Sequence, residues 1–205
     1  PLKPKKLILD LKKTLLSQGL QINAKRSPSE RKGRRVVPPK EIEPIVEKTV
    51  TSDEVWSCTT CHFCQSTCPV LIEHTDKIVE LRRNLVLAES SFPAELKAMF
   101  KSMDVNGNPW PVSGDKRSDW CKGLDVKILN EGDKVDVLLW VGCAGATDDR
   151  NTKVAIALAK ILKQAGIDFG ILGNAEKCCG DPVRQLGNEY LYQMRAQENI
   201  ETLKA

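Results

Sequence analysis

Apolar positions along the chain follow two different rhythms. In PKKLILDLKKTLLSQ, residues 4–18, Leu7, Ile8, Leu11, Leu15 and Leu16 recur at helical spacing. This predicts an amphipathic helix with Pro4 in its first turn and Gly19 as its stop. The same rhythm returns in EHTDKIVELRRNLVLAES, where Ile78, Leu81 and Leu85 share one face, and Phe92-Pro93 opens a further helix over AELKAMFKSM. From Asp136 the texture changes. VDVLLWVG is a continuous apolar run that predicts a buried strand, RNTKVAIALAKILKQAG a helix closed by Gly166, and IDFGILG a second short strand. The loop EKCCGDP and the helix GNEYLYQMRAQENIETLK follow. Strand, helix, strand, loop, helix is the start of a parallel α/β layer, whose ligands are expected where loops leave the carboxyl ends of the strands.

Between the two rhythms lies DVNGNPWPVSGDKRSDWCKG, residues 104–123, rich in Gly, Pro, Asn and Asp. It reads as a long connector, extending to about residue 130, whose two tryptophans pin it against the helical part. The expected fold class is therefore α + α/β, with an α-helical domain over residues 1–130 and the N-terminal part of an α/β domain over residues 131–205.

Charge adds one feature. Residues 1–40 carry +10 and the remainder −6, with the excess in AKRSPSERKGRR. The stretch from residue 24 to 40 reads as a solvated basic loop, with docking on an acidic partner or anionic lipid as its second reading. Nucleic acid is not expected, because no stacking aromatics are interleaved with the charges. No run is long and apolar enough to span a membrane.

The eight cysteines carry the chemistry. They are clustered in a way unlike a disulfide scaffold, and the start PLKPKKLILDLKK has no apolar signal core, so the expectation is a cytoplasmic, reducing setting. Cys58, Cys61, Cys64 and Cys68 form C-x2-C-x2-C-x3-C-P, the bacterial ferredoxin run. In that run closely spaced thiolates wrap a 4Fe-4S cluster, backbone amides turn toward the sulfurs, and the fourth cysteine serves a different cluster. Three arrangements stay open: all four cysteines close one cube, Cys68 serves another cluster, or a partner chain lends a thiolate. The competing reading is a zinc-stabilised, non-redox interaction module. It lacks the second C-x2-C or His pair that zinc sites need, since His62 lies inside the run and His74 is alone. His62 is expected at the rim, with Phe63 shielding the sulfurs from water.

A second constellation pairs Cys143 in WVGCAG with Cys178 and Cys179 in EKCCGDPVRQLGNE. Both fall at predicted strand exits, so two distant segments should converge on one side of the sheet. Gly180 is expected to let the backbone approach a cluster. Arg184 and Asp181 lie beside this loop, and Cys121 matches no ligand position.

Together CTTCHFCQSTCPV, IVELRRNLV, NPWP, WVGCAG and CCGDPVRQLGNEYLYQ resemble the heterodisulfide reductase D-like iron-sulfur oxidoreductases, which carry cysteine-rich CCG domains. The likeness covers nearly the whole chain and is strongest to the iron-sulfur subunits of electron-transfer flavoprotein:menaquinone oxidoreductases. It implies an all-helical ferredoxin domain with two 4Fe-4S clusters, passing electrons to a CCG site that in some relatives holds a noncubane iron-sulfur cluster. It further implies that Cys58, Cys61, Cys64 and Cys68 are the second ferredoxin motif, and Cys143, Cys178 and Cys179 the first half of a CCG motif. The partners implied are electron-transfer flavoprotein or other oxidoreductase subunits and a membrane quinone-reducing segment, with a peripheral place at the cytoplasmic membrane face. The family's first ferredoxin motif would precede Pro1 and its closing C-x2-C would follow Ala205, so the chain is expected to be an internal piece of a longer protein.

Overall fold

A computed structural model describes residues 2–24 and 43–204. The basic stretch lies outside the described residues, apart from Ala24. Two compact units form, Pro1–Leu85 and Val86–Ala205. The sequence boundary near residue 130 marks instead where the sheet begins.

In the first unit α1 spans Pro4–Ala24, so it runs on past Gly19. One glycine inside a helix costs only about 1 kcal/mol relative to alanine, which the rest of the helix outweighs. After the single turn α2 (Ile45–Lys48), α3 (Ser52–Trp56) begins with a capping box. Thr51 Oγ1 accepts from Glu54 N at 3.2 Å and Thr51 N donates to Glu54 Oε2 at 3.1 Å. The one-turn α4 (Phe63–Ser66) and the longer α5 (His74–Leu87) follow. Leu7, Val46, Val50, Val55, Ile78 and Leu85 close a core against which Cys58, Trp56 and Leu81 pack. Leu15 and Leu16, expected on the buried stripe, are exposed. At that turn of α1 it is Thr14 that is buried, its Oγ1 2.8 Å from Thr49 Oγ1.

The second unit starts with α6 (Ala94–Asn106) and continues through two short 3-10 turns to a three-stranded parallel sheet. Its strands are β1 (Lys127–Ile128), β2 (Val137–Leu138) and β3 (Phe169–Ile171), in the order β1-β3-β2. Gly170 of β3 faces Lys127 on one side and Leu138 on the other. The run VDVLLWVG thus contributes a two-residue edge strand rather than a buried one, because β3 takes the centre and only it is buried throughout. The strand β1 emerges from the expected connector. Helices α7 (Gly142–Thr147) and α8 (Asp149–Gln164) follow β2, and α9 (Asp181–Gln185) and α10 (Glu189–Lys204) follow β3. Trp120, Cys121, Ala146, Ala155, Ala159, Phe169 and Ile171 form the core. Trp120 therefore belongs to this unit's own core and is not the pin on the helical part that the sequence suggested. Asn108 holds the NPWP turn locally, donating to Val112 O at 2.8 Å and accepting from Trp110 N at 2.9 Å.

Candidate iron-sulfur sites

The first cysteine run occupies the loop between α3 and α5. Thr60 and His62 take left-handed backbone conformations, φ 55° and 59°, and Leu71 does so on the far side at 52°. Such turns point successive N–H groups inward, and several meet sulfur. Thr60 N donates to Cys58 Sγ at 3.3 Å and Ile72 N to Cys68 Sγ at 3.4 Å. The Phe63 N–H and Thr59 side chain hold the Cys61 thiol below its ordinary pKa, and the Ile72 and Val70 amides do the same for Cys68. Amide donors aimed at thiolates are what an iron-sulfur group requires of its loop. Cys61 is exposed and Cys58, Cys64 and Cys68 half-buried, all as free thiols. Among the described residues, no three His, Cys, Asp or Glu side chains gather into a metal-holding group. His62 sits at the loop's outer edge, its Nδ1 2.5 Å from Gln65 Oε1. Phe63 is 69% exposed and so leaves the sulfurs uncovered.

Arg82 fastens this loop, and sequence reasoning did not single it out. It is 2% exposed, its guanidinium lies 5.1 Å from the Trp56 ring centroid, and it donates to Val55 O and Cys58 O. Its signal was an arginine inside an amphipathic helix, on the same face as Ile78 and Leu85. Arg82→Met leaves two carbonyls short of a donor, and a bond to a charged group contributes about 1.5–3 kcal/mol. The expected loss in the first unit is about 3 kcal/mol, read as a lower urea midpoint.

In the second unit the two strand exits meet as expected. Cys143, in the first turn of α7, and Cys178 are buried and joined by a thiol hydrogen bond. Cys179, next in the chain, is exposed. The loop is held from behind: Cys178 N donates to Gly107 O at 2.8 Å, and Asn199 Nδ2 donates to Cys178 O at 2.9 Å. Gly180, with φ 86°, makes room for α10, since a Cβ there would sit 2.9 Å from Tyr192 Cδ2. Arg184 lies over the Tyr192 ring, 5.2 Å from its centroid, and Asp181 bonds Gln185. Cys121 is a core thiol donating to Ser118 O.

Sequence reasoning missed the two charges behind Cys143. Arg117 and Glu176 are both nearly excluded from solvent and pair directly. Arg117 Nη1 reaches Cys143 Sγ at 3.4 Å, and Glu176 accepts from Val141 N at 3.0 Å and Gly142 N at 2.8 Å. The position of Glu176, two residues before the vicinal cysteines, was the available signal.

These contacts fix where the charge of the thiol pair resides. The Cys178 hydrogen bond first, and then Arg117, lower Cys143 to about 6, while Cys178 is pushed up by giving that bond and by burial. The folded pair therefore releases its first proton near pH 6 and holds the second beyond the range where free cysteine titrates, about 8.5. Between those values the unfolded chain binds more protons, so stability rises with pH and is lost as pH falls through about 6; above about 8.5 the unfolded chain releases both and the trend reverses. In metal-free protein, the stability advantage of wild type over Cys143→Ser should grow as pH rises from about 6 to about 8 in urea titrations.

Comparison with known proteins defines the class. Residues 137–205 match the cysteine-rich domain family, CCG. The chain is 42% identical over 163 residues to the probable iron-sulfur-binding oxidoreductase FadF of Bacillus subtilis (strain 168), covering 76% of this chain and 23% of that protein. It is equally similar, 42% over 163 residues, to the EtfAB:quinone oxidoreductase of Syntrophomonas wolfei, covering 77% of this chain and 23% of that one. Similarity extends to a dihydromethanophenazine:CoB--CoM heterodisulfide reductase component of Methanosarcina acetivorans, 31% over 157 residues, 75% of this chain and 37% of that protein. The chain thus spans about a quarter of the length of the two bacterial relatives. No solved structure matches it. The chain belongs to the iron-sulfur oxidoreductase proteins with a CCG cysteine-rich domain, the group that includes these heterodisulfide reductase components.

Proposed function

We propose that this chain is an iron-sulfur electron-transfer component of an oxidoreductase. The first unit, Pro1–Leu85, is a ferredoxin-like helical part in which Cys58, Cys61, Cys64 and Cys68 supply thiolates to a 4Fe-4S cluster. Residues 131–205 supply Cys143, Cys178 and Cys179 to a second, noncubane iron-sulfur centre. Bound there, such clusters supply one-electron acceptance and release. The chain's own residues orient the sulfurs, through Arg82 and the amides of residues 60, 63 and 72 in one unit and through Arg117, Glu176 and Asn199 in the other. The observation that carries the reading is a ferredoxin-spaced cysteine loop whose left-handed turns aim amide donors at sulfur.

The electron donor proposed is electron-transfer flavoprotein or another oxidoreductase component, and the acceptor a quinone or a disulfide, after the names of the relatives. No helix among the described residues is long and apolar enough to cross a membrane, so contact with a membrane-held quinone would run through another segment or another protein. Anaerobic EPR of the full-length protein during redox titration tests the reading. It expects cubane signals with stoichiometric iron and acid-labile sulfide. Zinc with no sulfide would overturn it in favour of a structural interaction module.

A further inference from the structure

The second unit buries a permanent cation against a cysteine sulfur. Arg117 is 5% exposed and Glu176 3%. One guanidinium nitrogen donates to Cys143 Sγ, the other to Glu176, and the carboxylate also accepts both amides of the turn that carries Cys143. The guanidinium, the carboxylate and the sulfur-bearing turn therefore move as one piece. A fold seldom needs such a pair for stability alone, because well-packed apolar residues of the same volume do as well or better. Arg117 Nε is also buried and finds no acceptor among the described residues. Buried donors normally have partners, so this one is suited to an acceptor atom brought in with a bound group.

We propose that Arg117, anchored by Glu176, is a positioning residue of the CCG site: it fixes the Cys143 sulfur against Cys178 and raises the reduction potential of the metal centre those sulfurs hold. The proposal rests on reading Cys143 and Cys178 as ligands. Reduction adds negative charge, which an adjacent cation and a hydrogen bond to sulfur both favour. Guanidinium keeps its charge at every accessible pH, so the effect is constant rather than titrating. A lysine would keep the charge and lose the fork that reaches Cys143 and Glu176 together.

The test is an anaerobic EPR redox titration of the full-length protein with its Cys143→Ala, Arg117→Met, Arg117→Gln and Arg117→Lys variants. Cys143→Ala should remove one signal. Arg117→Met and Arg117→Gln should lower the midpoint of that same signal by about tenfold or more in equilibrium constant, about 59 mV for one electron, and leave the others unmoved. Arg117→Lys should recover at least half of the shift. If Cys143→Ala removes a signal but the neutral variants hold its equilibrium constant within about twofold, the role of Arg117 is overturned while the ligand reading stands. If Cys143→Ala removes nothing, the ligand reading fails and the proposal falls with it. Should neither neutral variant accumulate, Arg117→Lys decides through the sulfur contact that only the fork makes: a changed line shape of that signal is expected, and an unchanged line shape would overturn the proposal.

Discussion

Cys61→Ser is expected to strip the first unit of its iron and sulfide, with visible absorbance falling by that cluster's share, and Cys58→Ser and Cys64→Ser to do the same. Serine's oxygen is a hard donor that stays protonated near neutral pH, whereas iron-sulfur clusters take soft thiolates. Cys61 carries two local donors in its folded loop, the Phe63 amide and the Thr59 side chain, so its thiolate form is already favoured before any metal arrives. The loop is braced from outside by Arg82 and the capping box of α3, so the substitution should leave the helices in place and remove only the sulfur's function. Iron and acid-labile sulfide per chain, measured anaerobically, read the result, with Cys121→Ser as the control because its thiol is spent on Ser118 O in a core. Cys68→Ser separates the arrangements left open by spacing. Loss of the same signal as in Cys61→Ser means one cube closed by all four; loss of a different signal means that Cys68 serves another cluster. Retention of full iron and sulfide in all three of the first variants would end the ferredoxin reading.

What could be read from the sequence depended on how far apart the cooperating residues lie. Local periodicity located α5 and its buried Ile78 and Leu85, and it located the helices after β2 and β3, because those signals need only neighbours three or four residues away. Cys143 and Cys178, far apart in the chain, were legible for a different reason: parallel topology fixes where loops emerge from the strands. The burial of α1 was misjudged at Leu15 and Leu16, where periodicity cannot say how far along a helix its partners extend. Strand β1 was invisible, as two residues set among Gly and Asp have no period to display. Arg117 and Glu176 were invisible too. They stand 59 positions apart, and only the folded chain brings such charges against one sulfur.

The second large effect is expected at Glu176. Replacing it by alanine leaves the Arg117 guanidinium buried without its counter-charge and deprives the Val141 and Gly142 amides of their acceptor. Breaking a buried pair from one side costs about 3–5 kcal/mol, because the surviving charge keeps its desolvation penalty and loses the attraction that offset it. Domains hold only about 5–15 kcal/mol in total, so Glu176→Ala should bring the second unit close to unfolding at room temperature. Removing both charges should be milder than removing one. In the double variant Arg117→Leu, Glu176→Leu the uncompensated cation is gone and apolar volume fills the space, so most of the stability should return although the turn amides stay unpaired. Urea titrations of the two single variants and the double variant close the cycle. A cost below about 1 kcal/mol for Glu176→Ala, or a double variant no better than that single one, would mean that the pair does not hold the Cys143 turn in place, since the offsetting attraction is the whole basis of the expectation.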